Sequence, residues 1–187
     1  MGIEHAIPRS LIETSPSNRR LQGGQLKDSK LEQQCSPECR IAKLGIELPG
    51  APTPFGSYVE ALQTGNLVFL SGMLPVIDHK PAFIGFIGRE LDVKAGWEAA
   101  RIAALGALAA ARGQLGSLDR IKRVVRLAIF MTTAGDFRDH PAVADGASDL
   151  FRDVFGQENM AVRSVIGVAT LPLGVPIEVE AIFEVEA

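Results

Sequence analysis

Apolar and acidic residues alternate along residues 177–186, close to the end of the chain. A period of two places successive side chains on opposite faces of a β-strand. One face of this predicted strand carries Ile177, Val179, Ala181, Phe183 and Val185. The other face carries four carboxylates, those of Glu178, Glu180, Glu184 and Glu186, together with Ile182. Because buried charges are costly without partners, this acidic face is expected to meet water or a partner surface.

Two longer segments show the three- and four-residue spacing of an amphipathic helix. In residues 93–115 the periodic apolar positions are Trp97, Ala100, Ala104, Leu108, Ala111 and Leu115, and Gly113 and Gly116 favour an end there. The second helix begins near Pro141, ends at Gly156 and buries the stripe Val143, Ala147, Leu150, Phe151 and Val154. A short helix is also predicted from Pro37, with Ser36 as its cap and Gly45 as its stop.

The remaining apolar segments predict strands. Residues 58–63 and 67–71 form two of them, with Gly65 and Asn66 in the turn between. Residues 81–88 indicate a short edge strand, since Pro81 cannot donate a ladder hydrogen bond. In the segment IKRVVRLAIFM, residues 121–131, one predicted face is Val125, Leu127, Ile129 and Met131, and the other is Val124, Arg126, Ala128 and Phe130. The stretch that opens at Arg163 supplies one more strand before residues 177–186.

The predicted order is strands, helix, strand, helix and two strands, which indicates an α+β sheet with both helices on one face. The opposite face mixes apolar and charged groups, so we expect it to pack against another subunit. Arg163 and Glu178 would lie at the ends of paired strands near this contact, where they could form a pocket. An ordinary salt bridge across the contact is the alternative interpretation.

Residues 1–35 are polar and lack periodicity, which predicts a flexible N-terminal tail before a single domain, residues 36–187. Cys35 and Cys39 are too few ligands for structural zinc, so we expect an incidental pair of reduced thiols and no metal. The formal net charge of −3 gives no general attraction to nucleic acid or anionic membranes. No apolar run approaches the ~18 residues of a membrane helix, and no secretory signal is recognisable, so a cytoplasmic protein is expected.

Two passages, GSYVEALQTGNLVFLSGMLPV and VRSVIGVATLPLGVPIEVEAI, resemble the two signature regions of the Rid family, also called the YjgF-type family, in order and spacing. The most specific part is an arginine, then Leu-Pro about eight residues later, then a strand that alternates Val or Ile with Glu. The resemblance covers about residues 40–186. It implies a chorismate-mutase-like fold assembled as a homotrimer, with ligand clefts between the subunits.

The resemblance also implies an activity: hydrolysis of reactive imines or enamines, such as 2-iminopropanoate, to a 2-keto acid and ammonia without a cofactor. It places the carboxylate-binding arginine at Arg163 and the water-activating acid at Glu178, which is expected to stay ionised beside Arg163. A guanidinium can hold a carboxylate with two parallel hydrogen bonds. The other substrate-binding positions would be Tyr58, Ser71, Gly72 and Val165, the last through its backbone carbonyl.

Gly106 and Asp145 depart from the family pattern, since many relatives have asparagine at or near both positions. These departures leave open a non-catalytic protein that binds a small carboxylate through Arg163. A ribonuclease of the kind reported for some relatives would need a continuous basic surface. Strand alternation divides the basic side chains Arg120, Lys122, Arg123 and Arg126 between two faces, so no nucleic-acid partner is expected.

Overall fold

A five-stranded mixed sheet forms the centre of the structure, a computed structural model that describes residues 35–186. The strands in chain order are β1 (Ala61–Thr64), β2 (Leu67–Leu70), β3 (Val76–Ile77), β4 (Lys80–Pro81), β5 (Ile121–Thr132), β6 (Val162–Val168) and β7 (Ile177–Val185). The order within the sheet is β1-β2-β7-β5-β6, and β3 and β4 form a separate hairpin. The β5–β6 pair is parallel, and the other three pairs of the sheet are antiparallel.

Three helices accompany the sheet: α1 (Pro37–Lys43), α2 (Val93–Leu115) and α3 (His140–Phe155). Helix α1 starts after Ser36, whose Oγ accepts a hydrogen bond from the Cys39 N–H at 3.4 Å. Helix α2 starts after Asp92, whose Oδ1 accepts from the Ala95 N–H at 2.7 Å, and ends at Gly116 with φ 81°. The predicted limits of α2 are therefore confirmed. Within residues 35–186 no helix is both long and apolar enough to span a membrane.

The core lies between α2, α3 and one face of the sheet. Strand β7 buries every second residue, beginning with Ile177, as its alternation predicts. Phe183 lies at the centre of this layer, with its ring centroid 5.9 Å from those of both Phe151 and Phe155 of α3. The predicted stripe of α3 is buried in full: Val143, Ala147, Leu150, Phe151 and Val154. The other side of the sheet, which points away from α2 and α3, is called the open face below.

Strand β5 departs from strict alternation near its start. Its pairing with β7 shifts register between Val124 and Arg126. Val124 consequently pairs with Phe183 and is buried on the same face as Leu127. The prediction that Val124 lies on the opposite face from Leu127 is wrong, because a β-bulge inserts a residue that an alternation pattern cannot reveal.

Residues 81–88 do not form the predicted edge strand. Asp78 and His79, with φ 50° and 61°, turn the chain between β3 and β4. Further on, Gly85 and Gly88 adopt φ 121° and 86°, and such positive values interrupt an extended strand. Ile87, between the two glycines, is fully buried and bridges to Thr133. The segment is therefore an anchored loop.

Strands β6 and β7 are not neighbours, because β5 lies between them. Helix α3 carries the chain across and returns β6 parallel to one edge of β5, while β7 occupies the other edge. The prediction that Arg163 and Glu178 end paired strands is therefore wrong. The turn between β6 and β7 contains Leu173, with φ 58°, and its side chain is half exposed.

Gly146 marks the place where α3 approaches α2 most tightly, since a Cβ at this position would overlap the backbone carbonyl oxygen of Trp97. We expect Gly146→Ala to lower the free energy of unfolding by about 2–3 kcal/mol through overpacking. The control is Gly106→Ala on α2, where an added Cβ meets nothing within 4 Å. It should raise stability by about 0.5–1 kcal/mol through helix propensity. Urea unfolding of both variants measures the difference, and equal effects would contradict the tight approach.

Cys35 and Cys39 form a disulfide at the start of α1. The expectation of reduced thiols is therefore wrong, since a separation of four residues with one cysteine ahead of the helix brings the Cα atoms within 5.5 Å. Disulfides are commonest in oxidising compartments, so the cytoplasmic location stays a prediction. The predicted tail lies outside the described residues except for Cys35.

Candidate functional site

Glu178 is a half-buried carboxylate on the open face of the sheet. Its neighbours in β7, Ile177 and Val179, are fully buried on the helix side. The Glu178 side chain lies directly against the backbone of Gly72, where an added Cβ would overlap Oε1 and come within 2.9 Å of Cγ. Only a residue without a side chain leaves room for the carboxylate in this position.

The chain around Gly72 is fixed by backbone hydrogen bonds to β7. The N–H of Met73 donates to the Val179 carbonyl at 2.8 Å, and the Val179 N–H donates back to the Met73 carbonyl at 2.9 Å. Ser71 is fixed on the other side, where its Oγ donates to the Val59 carbonyl at 2.7 Å. The Ser71 oxygen therefore keeps its lone pairs for accepting a hydrogen bond from a ligand.

Tyr58 stands at the rim of the same region, and its side chain is half exposed. Its hydroxyl oxygen accepts a hydrogen bond from the Phe55 N–H at 3.1 Å. The hydroxyl proton is not used in this contact, so it can be donated to a bound molecule. The loop that precedes β1 thus orients a hydrogen-bond donor toward the cavity.

These residues line a cavity of about 500 Å³, which we call the Glu178 pocket. Its lining is Phe55, Gly56, Tyr58, Ser71, Gly72, Leu74, Pro172, Leu173, Glu178 and Glu180. Four of the residues predicted from the sequence, Tyr58, Ser71, Gly72 and Glu178, are therefore brought together. Phe55 and Leu173 were not predicted from the sequence as lining residues, although the positive φ of Leu173 turns its segment beside the cavity.

The pKa of Glu178 is raised above its ordinary value, first by burial and then by the negative charge of Glu180. Among residues 35–186, no cation pairs with Glu178. The expectation that a nearby Arg163 keeps this carboxylate fully ionised is therefore not met within one chain. A carboxylate with a raised pKa is a stronger base than an exposed one, which suits it to accept a proton from water.

Two other glutamates of the open face, Glu180 and Glu184, have cation partners on β5. Arg123 Nε lies 3.5 Å from Glu184 Oε2, and Arg126 Nη1 lies 3.9 Å from Glu180 Oε2. These cross-strand pairs offset the charge of two of the carboxylates that alternate along β7. Glu178 is distinguished from Glu180 and Glu184 by having no such partner among the described residues.

Arg163 lies elsewhere, on the helix side of the edge strand β6. It is in register with Leu127 of β5, and its Nη1 donates to Asp145 Oδ1 at 2.7 Å and to Ser148 Oγ at 2.8 Å, both on α3. Val165 shares this face and packs against the core. The structure therefore does not bring Arg163 and Val165 together with Glu178 inside one chain. The contact to Asp145 and Ser148 was missed, although their spacing of three puts them on one helix face.

The negative charge of Glu180 gives a direct test of the Glu178 environment. Removing it in Glu180→Gln should lower the pKa of Glu178, because a like charge raises it. If ionised Glu178 is needed for turnover, the acid limb of kcat/KM then moves to lower pH. The matched control is Glu184→Gln, which removes another open-face glutamate from an arginine pair. A limb that stays in place in Glu180→Gln, or moves equally in both variants, would count against this role.

The comparisons with known proteins agree with this fold. A family model described as "YjgF/chorismate mutase-like, putative endoribonuclease" matches residues 38–183. Protein TCP17 of Trypanosoma cruzi is 41% identical over 77% of this chain and 91% of its own length. A 2-iminobutanoate/2-iminopropanoate deaminase of Dermatophagoides farinae is 31% identical over 75% of this chain and 95% of its own length.

Two solved structures extend the comparison. One from Shewanella oneidensis, described as a putative endoribonuclease, has a TM-score of 0.77 and 31% identity, and covers 80% of this chain and 99% of that chain. Escherichia coli TdcF with bound serine has a TM-score of 0.54 and 25% identity, and covers 76% of this chain and 98% of that chain. The bound serine shows that one relative holds a small molecule. The matched region spans nearly the whole described fold, and this chain belongs to the YjgF/chorismate mutase-like family.

Proposed function

We propose that this protein hydrolyses 2-imino acids to 2-oxo acids and ammonium, in a cleft completed by a second copy of the chain. The observation that carries the proposal is the Glu178 pocket, where a half-buried carboxylate with a raised pKa lies against Gly72. A relative named as a deaminase of 2-iminobutanoate and 2-iminopropanoate supports the same reaction class.

The open face supports assembly into a homotrimer. It exposes apolar side chains on strands at both edges of the sheet, including Leu62 and Phe69 on one side and Val162 and Ile166 on the other. Exposed apolar groups grouped on one face are typical of a protein interface. Assembly is also what the reaction needs, because Arg163 and Glu178 of one chain lie on opposite faces of its sheet.

In the proposed cleft, Arg163 of one subunit binds the substrate carboxylate, and Glu178 of the adjacent subunit accepts a proton from the attacking water. The water oxygen bonds to the carbon of the protonated imine, C=NH₂⁺. Both water protons pass to the nitrogen, the first of them by way of Glu178, and the C–N bond breaks to give a 2-oxo acid and NH₄⁺. The oxygen atom and both protons of the water are retained in these products. The Val165 carbonyl would hold the water, while Tyr58 and Ser71 would orient the substrate. Fixing substrate and water together supplies much of the acceleration.

Cleavage of RNA gains no support from the basic segment that precedes and begins β5. Arg123 and Arg126 of this segment are each paired with a glutamate of β7, so their charges are largely offset at the surface. Binding to the phosphate backbone of a nucleic acid requires unpaired cationic side chains that can replace its condensed counterions. We therefore propose no nucleic-acid partner. The proposed ligand is a small carboxylate-bearing imine, and the proposed reaction uses no cofactor.

The test uses Arg163→Ala and Glu178→Ala, assayed with 2-iminopropanoate that is generated freshly by an amino-acid oxidase. Each variant alone should lose about 10²-fold or more of kcat/KM. Mixed trimers, formed by refolding the two variants together, should regain activity. Random mixing pairs an intact Arg163 with an intact Glu178 at about one interface in four, so about one quarter of wild-type activity is expected.

Three results would oppose the proposal. A wild-type protein that does not accelerate imine hydrolysis removes the activity. Full turnover by either variant alone removes that residue from the site. Mixed trimers as inactive as their parents would show that both groups must come from the same chain, and light scattering of each sample verifies that trimers were present.

A further inference from the structure

A second cavity of about 210 Å³ opens beside the Glu178 pocket. Four residues, Phe55, Tyr58, Gly72 and Leu74, line both cavities, so the two spaces adjoin each other. The second cavity lies among the loop before β1, the β3–β4 hairpin and the middle of α2, where Gly106 is part of its wall. We call it the Gly106 pocket.

The Gly106 pocket exists because α2 has no side chain at this position. A Cβ added to Gly106 would meet nothing within 4 Å, whereas the adjacent Leu105 and Ala107 are buried in the core. A glycine inside a helix costs about 1 kcal/mol relative to alanine. Neither a close backbone approach nor a positive φ requires glycine here. The consequence of Gly106 is open space next to the proposed reaction site.

The lining of the Gly106 pocket combines an apolar wall with negative charge. Met73 and Val76 contribute apolar surface, Glu60 and Asp78 contribute carboxylates, and His79 contributes an imidazole, while neither lysine nor arginine is part of the lining. Burial raises the pKa of Glu60, the expected response of a partly desolvated carboxylate without a cation beside it. A positively charged group in the pocket would meet both carboxylates, while an anionic group would be repelled.

We infer that the Gly106 pocket receives the side chain of the substrate, and that the preferred substrates are 2-imino acids with an apolar stem of about three carbons and a cationic end. The inference rests on the proposed function. With the substrate carboxylate and imine carbon in the Glu178 pocket, the side chain passes between Tyr58 and Leu74, which line both spaces. The cationic end then lies near Glu60 and Asp78.

The experiment compares three imines prepared in place by amino-acid oxidases: those derived from arginine, citrulline and alanine. Citrulline has the length and shape of arginine without its charge, so this pair isolates the cation. Gly106→Leu fills the pocket and so tests whether it receives a long substrate side chain. The control is Gly106→Ala, which adds one methyl group to open space. Glu60→Gln removes one carboxylate while preserving its size.

For the wild type we expect kcat/KM for the arginine-derived imine to exceed that for the alanine-derived imine by about tenfold or more. The citrulline-derived imine should fall about twofold to fivefold below the arginine-derived one, and Glu60→Gln should narrow that gap, because Asp78 remains. Gly106→Leu should reduce turnover of both long imines by about tenfold or more and leave the alanine-derived imine within about twofold. Gly106→Ala should retain the wild-type preference.

Failure of this inference is distinguishable from failure of the proposed function. Hydrolysis of the alanine-derived imine without any preference for the long imines overturns the inference alone, as does a Gly106→Leu variant that loses all three substrates equally. If the wild type hydrolyses none of the three imines, the proposed function fails. Calorimetric titration with the three corresponding 2-oxo acids then tests whether the Gly106 pocket binds the side chain. The inference is supported if the arginine-derived oxo acid binds more tightly than the other two and loses this advantage in Gly106→Leu. Equal binding of all three oxo acids overturns the inference.

Discussion

Glu178→Gln is expected to raise the melting temperature at pH 7 while it reduces imine hydrolysis by about 10²–10⁴-fold. The two effects have one cause. Within one folded chain, burial and the charge of Glu180 raise the pKa of Glu178, so the ionised carboxylate is less stable there than in the unfolded chain. Glutamine preserves the shape of the side chain without the charge. It removes the unfavourable burial of a charge together with the proposed proton acceptor.

The raised pKa of Glu178 also determines how the change in melting temperature from Glu178→Gln varies with pH. A group whose pKa is raised on folding contributes stability below its ordinary pKa, 4.5 for glutamate, and loses that contribution as the pH rises through the folded-state value. The gain in melting temperature from Glu178→Gln should therefore be largest at neutral pH and disappear below about pH 4.5. Calorimetric scans from pH 4 to 8 measure it. A variant less stable than wild type at neutral pH would show that Glu178 has a stabilising partner.

Gly72→Ala is expected to reduce kcat/KM by about 10²-fold or more, with a loss of only about 1–2 kcal/mol in stability. The added methyl would occupy the position of the Glu178 carboxylate, so this side chain must swing away from the pocket. The movement costs little for folding because the Glu178 side chain is only half buried within one chain. The loss for catalysis is large because Glu178 no longer meets the water.

The control for Gly72→Ala is Gly135→Ala, since a Cβ at Gly135 meets nothing within 4 Å. It lies in the loop before α3, outside the lining of either pocket. It should leave both turnover and stability close to wild type. Equal turnover in Gly72→Ala and wild type, with the acid limb of the pH profile unmoved, would show that the contact between Gly72 and Glu178 has no part in the reaction.

Periodicity predicted the elements whose own residues determine their environment. The limits of α2, the buried stripe of α3 and the alternation of β7 are confirmed, because each depends on apolar residues repeated within one segment. The strand predicted for residues 81–88 failed where positive φ at Gly85 and Gly88 turned an apolar run into a loop. The predicted face of Val124 was wrong because a β-bulge depends on the pairing of two strands, which neither segment shows by itself.

In the candidate site, the residues fixed by local contacts lie together, and those whose positions depend on strand order do not. Tyr58, Ser71, Gly72 and Glu178 share a pocket. Backbone hydrogen bonds between Met73 and Val179 hold this part of the chain against β7. The relation of Arg163 to Glu178 depended on strand order, and the strand between them could not be deduced from either segment. The disulfide between Cys35 and Cys39 likewise depended on the conformation ahead of α1.

The placement of Arg163 and Glu178 on opposite sides of one sheet has a kinetic consequence. In the proposed cleft between copies, a single polypeptide that has just folded supplies only half of each reaction centre, and its Arg163 guanidinium is paired with Asp145. Turnover would then begin only when copies encounter one another. Specific activity per chain would accordingly rise with protein concentration and reach a plateau once every chain has found its neighbours.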